Sequence, residues 1–242
     1  MKFAVCSLTI GADYKKQVEL CTKSQEMHAT RHGYERITDE SIWDPSRAPM
    51  WSKIPLLQKY LAAHDYLVWM DGDVLITNQE TKIEEFIEIL GDKMLLVGRD
   101  FQGLNNGVFI IRNCPLAFDF LKDVWTKKEY AHVLFHEQSA MDEFMKTEKY
   151  KNSFVLIPHK YINIMNAFDY RVDPRIHWTP GDFCIHFAGI HDPGTRMALQ
   201  EMYWRFMSSD PAGRERIEKF KNERKLILEN NKHAAPTLFV GQ

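Results

Sequence analysis

Cysteine is scarce: the 242-residue chain has four. Cys6, Cys21, Cys114 and Cys184 are widely spaced and form no Cys-x-x-Cys pair, which excludes a disulfide framework and a zinc ribbon. Cys6, Cys114 and Cys184 lie in or beside apolar stretches and read as reduced core thiols. Long apolar runs are missing as well. No window approaches the roughly 18 residues of a membrane span, so no transmembrane segment is expected. Charge of one sign is not in excess, with 31 basic and 33 acidic residues and a formal net charge of −2. A general nucleic-acid binder would carry a basic stripe, so none is expected as a partner. There is no Asn-x-Ser/Thr sequon, no internal repeat and no low-complexity segment. Lys2 to Ile10 reads as a first core strand rather than a leader, and the expectation is a soluble, cytoplasmic protein.

What is present suits one α/β domain. The chain is 45% hydrophobic and 26% charged, enough to bury a sizeable core. Strand-like and helix-like stretches alternate. Strands are expected at 2–10, 34–37, 66–70, 94–98, 107–111, 154–158 and 183–187. Helices are expected at 13–32, stopped near Gly33, at 52–64, opened by Ser52 with Pro55 in its first turn, and at 81–90, ending at Gly91. Others are expected at 115–128, 137–149 and 214–231. The order predicts a mixed sheet and a single domain over 1–231, with a nucleotide-facing half at about 1–112, an acceptor half at about 113–200 and a loose tail at 232–242.

Four segments can carry chemistry. Tyr66-Leu67-Val68-Trp69-Met70 reads as a buried strand and ends in Asp71-Gly72-Asp73. Open α/β folds bind ligands at the carboxyl ends of parallel strands, and two adjacent carboxylates there call for a cation. The plainer alternative is an Asp-Gly turn into Val74-Leu75-Ile76. In Leu104-Asn105-Asn106-Gly107-Val108-Phe109, amides able to bond hydroxyls and a glycine able to approach a ligand precede an apolar strand. On spacing alone, an Asn-Gly hairpin turn is favoured there. His136-Glu137-Gln138-Ser139-Ala140 begins a helix, where the acid either faces a cleft or complements the helix dipole. His186, in Phe183-Cys184-Ile185-His186-Phe187-Ala188-Gly189, is either a hydrogen-bonded core histidine or a third ligand beside the two aspartates.

In their order, these segments resemble glycosyltransferases of the GT-A fold, and among them the galactosyl/mannosyl/xylosyltransferase family 34. Trp51-Ser52-Lys53-Ile54-Pro55 is similar to that family's Trp-x-Lys-x-Pro. Asp71-Gly72-Asp73 takes the place of its metal motif, and Asn105 to Asn113 is similar to its Asn-(Thr/Ser)-Gly-x-Phe-x-(Ile/Leu)-Arg-Asn. Glu137-Gln138-Ser139-Ala140 resembles Asp-Gln-Ser-Ala, and His186-Phe187-Ala188-Gly189 resembles His-Phe-x-Gly. The resemblance spans about residues 2–190. Two departures stand out: His136 replaces the first of two acids before Gln-Ser-Ala, and His191 replaces a lysine after His-Phe-x-Gly, with Arg196 nearby.

The resemblance implies a GT-A-like fold, a Rossmann-like mixed and mostly parallel sheet flanked by helices. It implies transfer of a hexose or pentose from a nucleoside-diphosphate sugar, with UDP favoured, to a glycan acceptor, and retention of configuration. Asp71, Asp73 and His186 would hold Mn²⁺, with Mg²⁺ next. Lys53 would lie near the diphosphate, with Thr9, Gly72 and His191 also on the donor nucleotide. Arg99, Asp100, Asn105 and Asn106 would lie at the donor sugar. Gln138 would face the anomeric carbon with Glu137 beside it, as nucleophile or base should the reaction run by double displacement. Relatives with a membrane anchor carry it before the catalytic domain; a bacterial or viral soluble enzyme, or a shortened form, is expected here. Two other classes remain: a metal-dependent nucleotidyltransferase or phosphatase, and an inactive sugar-nucleotide-binding module.

Overall fold

A computed structural model describes residues 1–100, 103–165 and 178–209. The expected helix at 214–231 and the tail at 232–242 lie outside the described residues.

The main sheet has six strands in the order β2-β1-β3-β6-β5-β7. They are β1 (Phe3–Cys6), β2 (Glu35–Ile37), β3 (Tyr66–Met70), β5 (Leu95–Asp100), β6 (Gly103–Arg112) and β7 (Phe154–Pro158). β1 pairs in parallel with β2 and β3, and β5 in parallel with β7, while β6 is antiparallel to both its neighbours. The sheet is therefore mixed and mostly parallel, as expected. Chain order reverses direction at β1, which sits between β2 and β3, so a ligand crevice is expected beyond Cys6 and Met70.

Both faces of this sheet are buried, which is why its strands read as continuous apolar runs. Leu67, Trp69, Val97, Phe109 and Ile111 pack with Ile54 and Leu57 of α3 (Lys53–Tyr60), Phe120 of α5 (Pro115–Thr126) and Met141 of α6 (His136–Met145). The alternate residues Val68, Met70, Leu96, Val108 and Ile110 pack with Phe86, Ile87 and Leu90 of α4 (Ile83–Leu90).

A second sheet has the order β4-β9-β8, built from β4 (Val74–Ile76), β9 (Cys184–His186) and β8 (Ile164–Met165). The Asp-Gly-Asp turn does lead into Val74-Leu75-Ile76, as the plainer reading has it. However, β4 pairs with β9 and not with β3, so the turn carries the chain from one sheet to the other. Leu75, Ile185 and Phe187 pack with Val18, with Cys21 of α2 (Glu19–His32) and with Tyr203 of α7 (Pro193–Ser209).

Three expectations are corrected. The helix at 13–32 is two helices, α1 (Ala12–Gln17) and α2, parted at Val18, whose φ of −115° leaves the helical range. Val18 is fully buried in the small-sheet cluster, so tertiary packing overrides the local helical pattern. Ser52 makes no side-chain cap; it closes a 3₁₀ turn, Pro49–Ser52, that runs straight into α3. The Asn-Gly hairpin is absent: Asn105, Asn106 and Gly107 lie inside β6. Val97 faces Phe109 and Gly98 faces Asn105, so Asn106, Gly107 and Val108 bulge without partners on β5. A bulge of this kind re-aims side chains beside a site.

Candidate active site

The site forms where β3, β4 and β9 meet. The Asp71 backbone N–H donates to Gly107 O at 2.7 Å, joining the turn to the β6 bulge. Phe187 N–H donates to Asp73 O at 3.1 Å, joining it to the residue after β9. Gln25, buried in α2, donates through Nε2 to Asp71 O at 2.9 Å and Val74 O at 2.8 Å, bracing the turn from below.

Asp71, Asp73 and His186 offer ligating atoms that all lie within 4.8 Å of one another. His186 Nε2 stands 3.2 Å from Asp73 Oδ1 and 3.8 Å from Asp71 Oδ2. The second oxygen of Asp71, Oδ1, accepts from Trp69 Nε1–H at 2.7 Å, which fixes the carboxylate plane. Burial opposes charge on His186, but the Asp73 carboxylate outweighs it and holds the imidazole pKa above its ordinary value. Burial likewise opposes the Asp73 charge, and His186 outweighs it, leaving that pKa below the usual carboxylate range. His186 Nδ1 is buried without a hydrogen-bond partner.

Gly107 has a steric reason to be glycine. A Cβ there would stand 2.3 Å from His186 Cε1 and 2.6 Å from Nδ1. The close approach anticipated for this glycine is thus made to the imidazole. Gly72 does the same for Thr9, whose Cγ2 would be 2.5 Å from an added Cβ.

Lys53, the first residue of α3, is only 1% exposed. Its Nζ lies 2.8 Å from Glu137 Oε1, 3.2 Å from Asp71 Oδ1 and 3.1 Å from Asn106 Oδ1. Burial would lower its pKa, and the carboxylates of Asp71 and Glu137 reverse this and raise it. Asn106 donates through Nδ2 to Glu137 Oε1 at 3.2 Å, and its backbone N–H donates to Gln138 Oε1 at 3.0 Å. Glu137 is 2% exposed, so it faces inward to Lys53 instead of serving as an exposed cap.

These contacts bring together Lys53, Asp71, Asp73, Asn106, Glu137, Gln138 and His186, with Gly72 and Thr9 alongside. Asn105 is directed elsewhere, its Oδ1 accepting from Gly107 N–H at 3.1 Å and from Asn163 Nδ2. Arg99 is exposed at the end of β5, and Asp100 ends the same strand. His191 is exposed in the loop before α7. Arg196, within α7, is held against α1 by Gln17 Oε1 at 2.6 Å and by the Ile190 carbonyl. Sequence reasoning missed Trp69 and Gln25. Trp69 was open to it, since two residues before Asp71 on one strand means the same face; a buried glutamine on a helix has no such signal.

Two carboxylates and an imidazole converge where a mixed, doubly covered sheet meets a small one, and the class this architecture defines is the GT-A glycosyltransferase fold. Solved structures share the architecture. A glycosyltransferase involved in glycosylation of the major capsid of PBCV-1 superposes with a TM-score of 0.68 at 15% identity, over 84% of this chain and 100% of that one. The galactosyltransferase LgtC, in complex with donor and acceptor sugar analogs, does so with a TM-score of 0.52 at 15% identity, over 87% and 96%. The model of the galactosyl transferase GMA12/MNN10 family matches residues 7–90 and 88–195, and the chain belongs to that family. An uncharacterized alpha-1,2-galactosyltransferase of Schizosaccharomyces pombe is 25% identical over 81% of this chain and 64% of its own length. The probable alpha-1,2-galactosyltransferase gmh1 of the same yeast is 25% identical over 74% and 65%. The chain spans under two thirds of either relative. A probable xyloglucan 6-xylosyltransferase 1 of Oryza sativa is 33% identical over 39% of this chain. Among the described residues no helix is long and apolar enough to cross a membrane.

Proposed function

We propose that this chain transfers a hexosyl or pentosyl group from a nucleoside-diphosphate sugar, a UDP-sugar, to a glycan acceptor with retention of anomeric configuration. The observation that carries this reading is the convergence of Asp71, Asp73 and His186 at the strand-end crevice, next to the buried Lys53–Glu137–Asn106 cluster.

The donor set fits a hard divalent cation that accepts nitrogen. Asp71 and Glu137 pair with the Lys53 ammonium while Asp73 pairs with His186, so three carboxylates share one fixed cation, and a doubly charged ion balances the remainder when His186 is neutral. Asp71, Asp73 and His186 would hold Mn²⁺ or Mg²⁺. When bound, the ion would supply Lewis-acid neutralisation of the leaving diphosphate.

The chain's own residues position the sugar. Gln138 accepts the Asn106 N–H through Oε1, which fixes its amide, and its NH₂ would be the group offered to the donor sugar. An amide is a poor nucleophile and base. Glu137 is buried and neutralised by Lys53, which withdraws it from either role. Both facts favour a front-face route in which the departing phosphate oxygen takes the acceptor's proton.

A panel of sugar nucleotides with Mn²⁺ tests the reading. Release of free nucleoside diphosphate is expected, with a product of the donor's anomeric configuration by proton NMR. Release of monophosphate or pyrophosphate would instead make it a nucleotidyltransferase or phosphatase, and tight binding without turnover an inactive binding module.

A further inference from the structure

The segment before α3 and the end of α5 enclose a cavity that the transfer chemistry does not use. It measures about 320 Å³ and is lined by Asp44, Ser46, Arg47, Trp125, Lys128 and Ala131. Arg47 is its fixed element. The guanidinium carbon lies 3.9 Å from the ring centroid of Trp125 and 4.8 Å from that of Trp51, so two indoles hold the planar fork in place. Nη1 is shielded from solvent without a hydrogen-bond acceptor. Neither Arg47 nor Lys128 has a carboxylate within salt-bridge distance among the described residues, although most nearby cations do, as Lys127 does with Glu129 and Glu143. Asp44, the one carboxylate in the lining, accepts from Ser46 N–H at 2.9 Å and from the Ser46 hydroxyl; its charge also acts on Arg47 and Lys128 without reaching salt-bridge distance of either, so the lining keeps one net positive charge.

Two cations without a salt bridge on one concave wall, one of them clamped flat and only one carboxylate beside them, match an oxyanion, because a guanidinium fork and an ammonium together satisfy the oxygens of a carboxylate or phosphate. A purely structural Arg47, wedged between indoles, would account for neither Lys128 nor the cavity. The wall also connects to the reaction centre. Ala131 O accepts from His136 Nδ1–H at 3.0 Å, and His136 directly precedes Glu137 and Gln138. Phe135 and His136 both adopt positive φ, 67° and 45°, a conformation costly for non-glycine residues and common where a loop serves a site.

We propose that this cavity is an oxyanion subsite: a carboxylate or phosphate group seats between the Arg47 guanidinium and the Lys128 ammonium. On the transferase reading above, the group belongs to an acidic acceptor glycan.

Intrinsic tryptophan fluorescence of the full chain, titrated with inorganic phosphate, D-glucuronate and D-glucose, tests this. Saturable quenching by an anion and none by glucose is expected. Response to phosphate alone assigns a phosphoryl source, and response to glucuronate alone a uronate. Arg47→Gln and Lys128→Gln should each weaken that binding about tenfold. Lys128 is exposed, so its variant stays informative even where Arg47→Gln loosens the indole pair. Absence of saturation with both anions, or unchanged affinity in Lys128→Gln, overturns the proposal. Donor turnover by the wild-type chain, measured in parallel, separates the two readings: anion binding without turnover sinks the transferase reading alone, and turnover without anion binding sinks the subsite alone.

Discussion

At Gly107 a single hydrogen atom decides whether His186 can occupy its position. Gly107→Ala drives a methyl group into the buried imidazole. The expected cost is about 1–3 kcal/mol of stability, since overpacking forces side chains off their rotamers. Mn²⁺ affinity, followed by EPR of the free ion, should fall about tenfold, as it does when the support of a ligand is disturbed. A variant that binds Mn²⁺ like the wild type would show that His186 is not a ligand. Lys53 permits a second test. Lys53→Met leaves Glu137 buried without its cation and should cost about 3 kcal/mol in urea unfolding. Adding Glu137→Gln removes the orphaned charge and should restore part of the loss; strict additivity would mean the pair does not interact. The aspartates and His186 were legible in the sequence because strand ends and apolar neighbours mark them. Lys53 was legible as a residue of interest but not as a buried one, because lysine is an exposed residue by default and only three converging partners explain its burial.

Among the elements, α2 carries the clearest pH dependence. His28 is buried and donates through Nε2 to Thr81 O at 2.7 Å, while Nδ1 lacks a partner. Burial, ahead of a favourable bond to Thr81 and an unfavourable neighbour in His32, pushes its pKa down from 6.5 to about 4. The neutral form is therefore the folded form. Its contribution is fully present above the unfolded value near 6.5 and is lost as pH falls from there through about 4. The limit is roughly 3 kcal/mol. Urea unfolding at pH 7 and at pH 4.5 should show the wild type losing more stability than His28→Gln; parallel losses would rule out this origin. Elements were readable where their punctuation was local: Gly33 ends α2 in the left-handed conformation at φ 69°, and Phe154–Pro158 falls where expected. α7 went unread even though Pro193 at its first turn is a helix-start signal, because Gly194 beside it reads as a turn. The division of α1 from α2, and the pairing of β4 with β9, depend on contacts distant in sequence and left no local trace.

Across the whole molecule, the two aspartates belong to different bodies. Asp71 follows β3 in the large sheet, and Asp73 precedes β4 in the small one. A cation bound by both, and by His186 at the end of β9, ties the sheets together. Mn²⁺ at a roughly hundredfold excess over Kd should add about 3 kcal/mol of stability. Calorimetry should record a rise in Tm of several degrees that Asp73→Asn abolishes; an equal rise in that variant would place the ion elsewhere. The same layout makes one glycine the whole lever arm between two packed layers. A slide of one sheet over the other by a fraction of an ångström changes the gap between the carboxylates directly, with no loop to absorb it. Residues such as Val18, Leu75 and Tyr203, which touch no ligand and only seat the small sheet on its helices, thereby become tuning screws for the site. Random mutagenesis selected for altered preference among cations of different radius should find its hits there as readily as at the ligands.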